Sequence, residues 1–366
     1  MAKPMTERKP IRVINALAPI RICDNGGWTD TWFAKYGAVF NIAVSPYAEV
    51  QAAVYPQEDA SERIWLDVEN YGDRYAVGVE REGWDRHPLL EAAIKQVGVP
   101  PGMAVEISIF SQAPSGASTG TSAAVTVALV GTLDCLTPGR MGPHAAAMAA
   151  HQVETEMLGR QSGIQDQLGS AYGGINYITV SAYPEAQVTP IKIAEPVWWE
   201  LEREIALIYL GKSHDSSHVH EKVIARLEDA GPDSKQLEDL RETAARSRQA
   251  LVAGDFNGLG RAMIENTEAQ VRLHPDLISA DARRVIAIAR EHGAIGWKVN
   301  GAGGEGGSLT LLCGPNAAAR RAMLREIETE SPLWKNIPIR LDRYGLRRWE
   351  SGYGERRSGQ GIRGKG

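Results

Sequence analysis

Residues 113–133 read APSGASTGTSAAVTVALVGTL: turn formers and small hydroxyl residues run, without a charge, into Val, Ala and Leu. The second half predicts an apolar helix beginning at about residue 121. The first amides of a helix have no intrahelical acceptor, and the macrodipole adds partial positive charge there, so a helix start attracts anions. Gly116 and Gly120 let the backbone approach a ligand closely, and Pro114 sets the turn. Ser115, Ser118, Thr119, Thr121 and Ser122 supply hydroxyls. The stretch has the chemistry of a phosphate cradle, yet no GxxxxGK(S/T) pattern is present, so it is not a Walker A loop. Taken alone it reads equally as a core helix with a Ser/Thr cap.

Two other stretches bear on the choice. Residues 300–313, NGAGGEGGSLTLLC, set a dense glycine cluster before a buried strand, which marks a tight turn or close backbone approach to a ligand. Residues 18–31, APIRICDNGGWTDT, arrange a cation, Arg21, and a carboxylate, Asp30, around a glycine pair.

The bulk composition is that of a globular chain. Of 366 residues, 43% are hydrophobic and 23% charged, enough for two domains with a sizeable core. A net charge of -5 gives no electrostatic case for nucleic acid as a partner. No apolar run is long enough for a membrane span, and the N-terminus MAKPMTERKP lacks the apolar segment of a signal peptide, so a cytoplasmic location is expected. Cys23, Cys135 and Cys313 lie far apart, which argues against a disulfide framework or a zinc site.

The chain divides by texture. Strands are expected at IRVINAL and MAVEISIF, helices at 87–98, 121–135 and 143–158, and a strand at GINYITV. AVFNIAV and AEVQAAVY, separated by Ser45-Pro46-Tyr47, read as a hairpin. After a boundary near residue 195 come a strand at EIALIYL and helices at 217–229, 235–253, 256–269 and 276–292. Strands at GWKVN and SLTLLC, a helix at 316–329 and a strand near IPIRL follow. The expected domains are 1–195 and 196–346. Residues 347–366 carry six Lys/Arg, two Glu and many glycines, a composition that predicts a disordered tail.

The three glycine-bearing stretches, in this order and at these separations, resemble the three motifs of the GHMP kinase superfamily. PSGASTGTSAA is similar to the family's P-x-x-x-G-L-G-S-S-A-A, and NGAGGEGG to its third motif. The form APIRI…GGWTD, with GIQDQLGSAYGGINYI at 163–178 and YLGKSHDSS at 209–217, most resembles the branch of D-glycero-D-manno-heptose 7-phosphate kinases and fucokinase-like sugar kinases. The resemblance covers roughly residues 11–345. It implies a two-domain α/β (α+β) fold, with an N-terminal half like ribosomal protein S5 domain 2 and a ferredoxin-like C-terminal half. It implies an ATP- and Mg²⁺-dependent phosphotransfer to an alcohol of a sugar or sugar phosphate, in the cleft between the halves. A kinase of a non-sugar alcohol, such as a mevalonate relative, is the runner-up, and a non-catalytic nucleotide or sugar sensor on the same scaffold is the rival from another class. A homodimer is compatible with the resemblance.

The same resemblance assigns roles. Pro114, Ser115, Gly116, Ala117, Ser118, Thr119, Gly120, Thr121 and Ser122 would hold the ATP phosphates. Ser122 and Glu154 would hold Mg²⁺, while Glu156 reads as a solvated carboxylate. Asp166 would be the catalytic carboxylate, abstracting the acceptor proton or orienting the hydroxyl. Arg21 would stabilise the transferring phosphoryl or act on Asp166. Asp30 and Trp28, with Gly27, Gly303 and Gly304, would meet the substrate. The departures are Ser118-Thr119-Gly120 for Gly-Leu-Gly, and Glu305 within the third motif, close to the expected phosphates. His214 stands where relatives tend to carry Arg, which favours an unphosphorylated sugar. The histidines of HDSSHVH, among them His220, read as a solvated helix face rather than metal ligands.

Overall fold

The strand expected at IRVINAL extends to fourteen residues, β1 (Arg12–Asn25), nearly all of them buried. Strands and helices packed around it explain an apolar run without alternation. The computed structural model describes residues 9–57, 62–78, 82–211 and 217–351. The elements of its first half are β2 (Gly37–Pro56), β3 (Ile64–Val68), β4 (Asp73–Ala76), α1 (Pro88–Val97), β5 (Met103–Ser111), α2 (Thr121–Asp134), α3 (Pro143–Gln152), α4 (Gln165–Tyr172), β6 (Ile175–Ala182) and β7 (Glu185–Pro190). There follow α5 (Glu195–Glu204), β8 (Ile205–Tyr209), α6 (Ser217–Ala230), α7 (Lys235–Val252), α8 (Phe256–Leu273), α9 (Ala280–Glu291), β9 (Gly296–Val299), β10 (Ser308–Leu312), α10 (Ala317–Glu330), β11 (Lys335–Ile337) and β12 (Arg347–Ser351).

The first sheet runs β12-β1-β2-β5-β3-β4, with β6 pairing the first part of β2 and β7 pairing β6. Only β3 and β5 run parallel. The second sheet, β11-β8-β10-β9, is antiparallel throughout. Helix α2, without a charge until its last residue Asp134, is buried on nearly every side and packs on β1, β2, α1, α3 and α4. One continuous apolar core joins the halves: Trp198, Leu201, Leu207 and Leu259 pack with residues of the first sheet.

Two expectations are corrected. AVFNIAV and AEVQAAVY form one bent strand, not a hairpin. The ladder between β1 and β2 jumps from Pro19↔Tyr47 to Ile20↔Val44, so Pro46, which lacks an N–H, sits in an irregularity where no ladder bond is required. The chain bends and continues, pairing β6 with its first part and β5 with its second. The tail predicted to be disordered from 347 instead begins with β12, whose residues pair antiparallel with Val13–Leu17 of β1. An open sheet edge, Asn15 bonding Ser351 and Arg12 bonding Glu350, supplies what a sparse apolar content does not. Residues 352–366 lie outside the described residues.

Candidate active site

The opening stretch forms a tight loop leading into α2, and four of its carbonyls are engaged by neighbouring groups. Those of Ser115, Ala117, Ser118 and Thr119 accept, in order, from Tyr209 Oη at 3.2 Å, Ser308 Oγ at 2.6 Å, Arg21 Nη1 at 2.5 Å and the Arg21 amide at 3.0 Å. With the oxygens tied back, the amides at the start of α2 are left to face a ligand. Gly120 caps the helix in the left-handed region, φ 69°. Ser118, where the family motif has glycine, takes φ 55°. That conformation costs about 1–2 kcal/mol for a side-chain-bearing residue, offset here by the bonds on either side of it.

The loop opens into a cleft of about 1070 Å³. One end is apolar and aromatic, with Val68, Tyr71, Leu89 and Phe110; the other holds the cradle, Arg160, Asp166, Gly301 and Ala302. A smaller cavity of about 200 Å³ adjoins it, lined by Trp28, Asp30, Phe33, Gln161 and His220. Arg21, Asp166, Gly301 and Ala302 line both, so the two spaces meet at one carboxylate.

Asp166 lies in the first turn of α4 against Gly120, where an added Cβ would stand 3.2 Å from its carboxylate. Buried Arg21 grips it with two bonds, Nε to Oδ1 at 2.8 Å and Nη2 to Oδ2 at 3.1 Å. Burial opposes the Arg21 charge, but Asp166, Asp24 and Asp30 outweigh it and raise the pKa further. Arg21 therefore fixes the position of its neighbour rather than reaching freely into the cleft.

Asp30 is 3% exposed, and its carboxylate accepts one recorded hydrogen bond, from the Gln165 amide at 2.9 Å. Burial, reinforced by Asp166 and Asp24, pushes its carboxyl up to about 6. Gly163 makes the room: a Cβ there would lie 2.3 Å from Asp30 Oδ2. Trp28, at φ 77°, walls the cavity with its Nε1 buried and without a hydrogen-bond partner.

Helix α3 widens at its end into a π turn, Val153–Met157, and this turn carries Glu154. Glu154 is buried, with Oε1 lacking a hydrogen-bond partner, and burial raises its pKa. A desolvated oxygen without a partner suits a cation, and Ser122 is exposed at the start of α2. Among the described residues no group of three or more His, Cys, Asp or Glu is gathered for a metal. Magnesium does not need one, since it uses one or two carboxylates with waters and phosphate oxygens. Glu156 is exposed, as expected.

Several expectations shift. Gly303 and Gly304 line neither cavity. Gly303 packs against the Leu277 carbonyl, which also accepts the Gly304 amide at 2.7 Å, and Gly301 and Ala302 form the lining instead. Glu305 is exposed and lines neither space, which removes its repulsion toward phosphate. His220 is not on a solvated face: it stands edge-on to Trp28 at 5.7 Å, with Nε2 3.2 Å from the Gly303 oxygen. His214 lies outside the described residues. Gly27 lines the smaller cavity.

Sequence reasoning missed a buried ion pair. Lys298 Nζ lies 3.3 Å from Asp24 Oδ1, both side chains 1% exposed, and Asp24 also accepts the Gly301 amide. A charged residue within the strand pattern GWKVN was the available signal. Also missed was Asn300, whose side chain bonds the Cys23 amide, Thr310 and Ser308, joining the first and third glycine stretches.

The chain is similar to proteins of known family. The model of the GHMP kinases N terminal domain matches residues 88–174, and that of the GHMP kinases C terminal domain matches 247–328. The chain is 23% identical over 308 residues to the D-glycero-alpha-D-manno-heptose 7-phosphate kinase of Campylobacter jejuni, covering 81% of this chain and 88% of that one. It is 25% identical over 316 residues to the bifunctional fucokinase/GDP-fucose pyrophosphorylase of Arabidopsis thaliana, covering 80% of this chain but 29% of that longer protein. Mevalonate kinases match as well. A solved D-glycero-D-manno-heptose 1-phosphate kinase from Bacteroides thetaiotaomicron shares the fold, with TM-score 0.70 at 20% identity over 92% of this chain and 98% of that one.

Proposed function

The chain belongs to the GHMP kinase family, and from that premise we propose that it transfers the γ-phosphoryl of ATP to a sugar hydroxyl at or near the anomeric carbon, as a heptose 7-phosphate kinase-like or fucokinase-like enzyme. The observation that carries this reading is the meeting of a large cleft and a small polar cavity at Asp166, held by Arg21.

Phosphoryl transfer asks a protein for positioning and charge neutralisation. The cradle amides receive the phosphates, and the apolar end near Tyr71 and Leu89 takes the nucleobase. Asp166 stands where the acceptor hydroxyl must approach and takes or orients its proton. Arg160, exposed at the cleft, adds positive charge on the same side. Glu154 and Ser122 would hold Mg²⁺, which when bound neutralises charge on the phosphates. Asp30 accepts sugar hydroxyls, and Trp28 offers a ring face with a donor at its edge.

The described lining of the small cavity sets Asp24, Asp30 and Asp166 against one guanidinium, already engaged. This favours a neutral sugar over a sugar phosphate and over a carboxylate such as mevalonate. The test is ADP release with ATP, Mg²⁺ and a panel of fucose, galactose, heptose 7-phosphate and mevalonate. Turnover is expected with a neutral sugar. Binding of ATP and sugar without ADP release would make the protein a sensor, and turnover with mevalonate alone would overturn the substrate class.

A further inference from the structure

Away from the cleft, a cavity of about 410 Å³ lies between the end of α5, the start of α10 and the segment after β11, and it shares no lining residue with the two described above. Its walls include Trp199, Glu202, Arg203, Arg320, Asn336 and Arg340. We propose that this cavity is a binding site for a small phosphate-bearing molecule, separate from the active site.

Three arginines reach it from three separate segments. Arg203 is oriented by Glu200, Glu204 and the Pro315 carbonyl, and Arg340 by Glu202. Arg320 is less well served: Nη2 reaches the Ile205 carbonyl at 3.3 Å, and Nε is buried without a hydrogen-bond partner. Nearby, Glu204 Oε2 is also buried and without one. A phosphate monoester offers acceptor oxygens in a tetrahedral array and, when singly protonated, a donor hydroxyl. Guanidinium forks from three directions suit that array better than a planar carboxylate. Trp199, half exposed on the wall, gives the organic portion an apolar face.

The charge balance agrees. Glu200, Glu202 and Glu204 face the three arginines, but burial and Glu200 push Glu204 up to about 7. The other groups around Glu204 are Arg203 on its own helix and, from neighbouring segments, the neutral Cys313 thiol with Arg320 beside it. With Glu204 raised in this way, less negative charge opposes the three arginines than the number of their carboxylate neighbours implies. The site also sits at a joint. The Arg340 amide donates to Ser45 Oγ and its carbonyl accepts the Ser45 amide, tying this segment to β2, while Glu202 accepts the Leu341 amide, tying it to α5.

The inference stands apart from the proposed activity. The test is calorimetric titration of the full chain with inorganic phosphate, with a non-hydrolysable ATP analogue and Mg²⁺ present to fill the cleft, and chloride at matched ionic strength as control. Saturable binding is expected, weakened about tenfold by Arg320→Gln and again by Arg340→Ala. The Arg340 side chain is 79% exposed, so its removal does not threaten the fold. Absence of saturable binding, or binding that survives both substitutions, overturns the proposal.

Discussion

Replacing Asp30 by Asn separates what the site does from what it costs. The carboxyl is buried, takes one recorded amide bond and titrates at about 6, against 3.8 for an unperturbed group. Its folded value is raised, so the protonated form suits the folded state. No penalty exists below the unfolded pKa. It grows as pH rises toward the folded value and is complete above it. Two pKa units correspond to about 3 kcal/mol, of which about 2 kcal/mol develop between about pH 4.5 and about pH 8. Asn keeps an oxygen for the Gln165 amide and loses the charge. Urea unfolding of ligand-free protein should therefore show Asp30→Asn gaining about 2 kcal/mol on the wild type across that interval. The same variant loses an acceptor for sugar hydroxyls, each charge-assisted bond contributing about 1.5–3 kcal/mol, so the sugar KM should rise by about tenfold or more. ATP affinity should hold. Parallel stability profiles would refute the burial argument, and loss of ATP binding would misplace the residue.

Asp166→Asn should lower turnover by about a hundredfold or more while nucleotide affinity, read by calorimetry, changes little; unaltered turnover removes Asp166 from the chemistry. Glu154→Gln should raise the Mg²⁺ needed for half-maximal activity by about tenfold and, because its carboxyl is raised by burial, should stabilise the metal-free protein more at high pH than at low; an unchanged Mg²⁺ requirement assigns the metal elsewhere. Lys298→Met strands Asp24 in the interior and should cost about 3–5 kcal/mol in chemical unfolding, whereas the double variant with Asp24→Leu should recover most of it; equal losses would show that the pair is not coupled.

Legibility followed how local each signal was. The helices from Ser217 onward and the strand at SLTLLC were readable because their apolar spacing lies within the segment, and the helix after Gly120 because its run is apolar almost throughout; α4 and α5 were not expected. The hairpin error arose because Pro46 signals a turn locally, while pairing with β1 on both sides of it holds the strand through. Strand β12 was hidden because its residues gain their partners from β1, some 330 positions earlier. In the site, the resemblance to the family motifs pointed to Arg21, Asp30, Asp166 and the loop 114–122, and these residues line the two adjoining cavities. Gly301 and Ala302 displaced Gly303 and Gly304 because a glycine needed for packing on Leu277 looks the same in sequence as one needed by a ligand.

The departures in the phosphate loop acquire a physical account once the three motifs are seen as one bonded unit. Glycine at position 118 would relieve backbone strain, but the serine there sits against Gly301 and Gly307, whose missing side chains make the space: a Cβ on either would come within about 3 Å of it. The same loop hands its carbonyls to Arg21, Ser308 and Tyr209. Through Asn300 the third motif grips the first, and through Asp24 and Lys298 it is held in the core. Shifting any one motif would disturb the others, so the loop at 114–122 and the smaller cavity keep a fixed relation across Asp166. That fixed relation is what in-line transfer between two separately bound molecules requires, because a small misplacement of the acceptor costs more in rate than any single contact contributes.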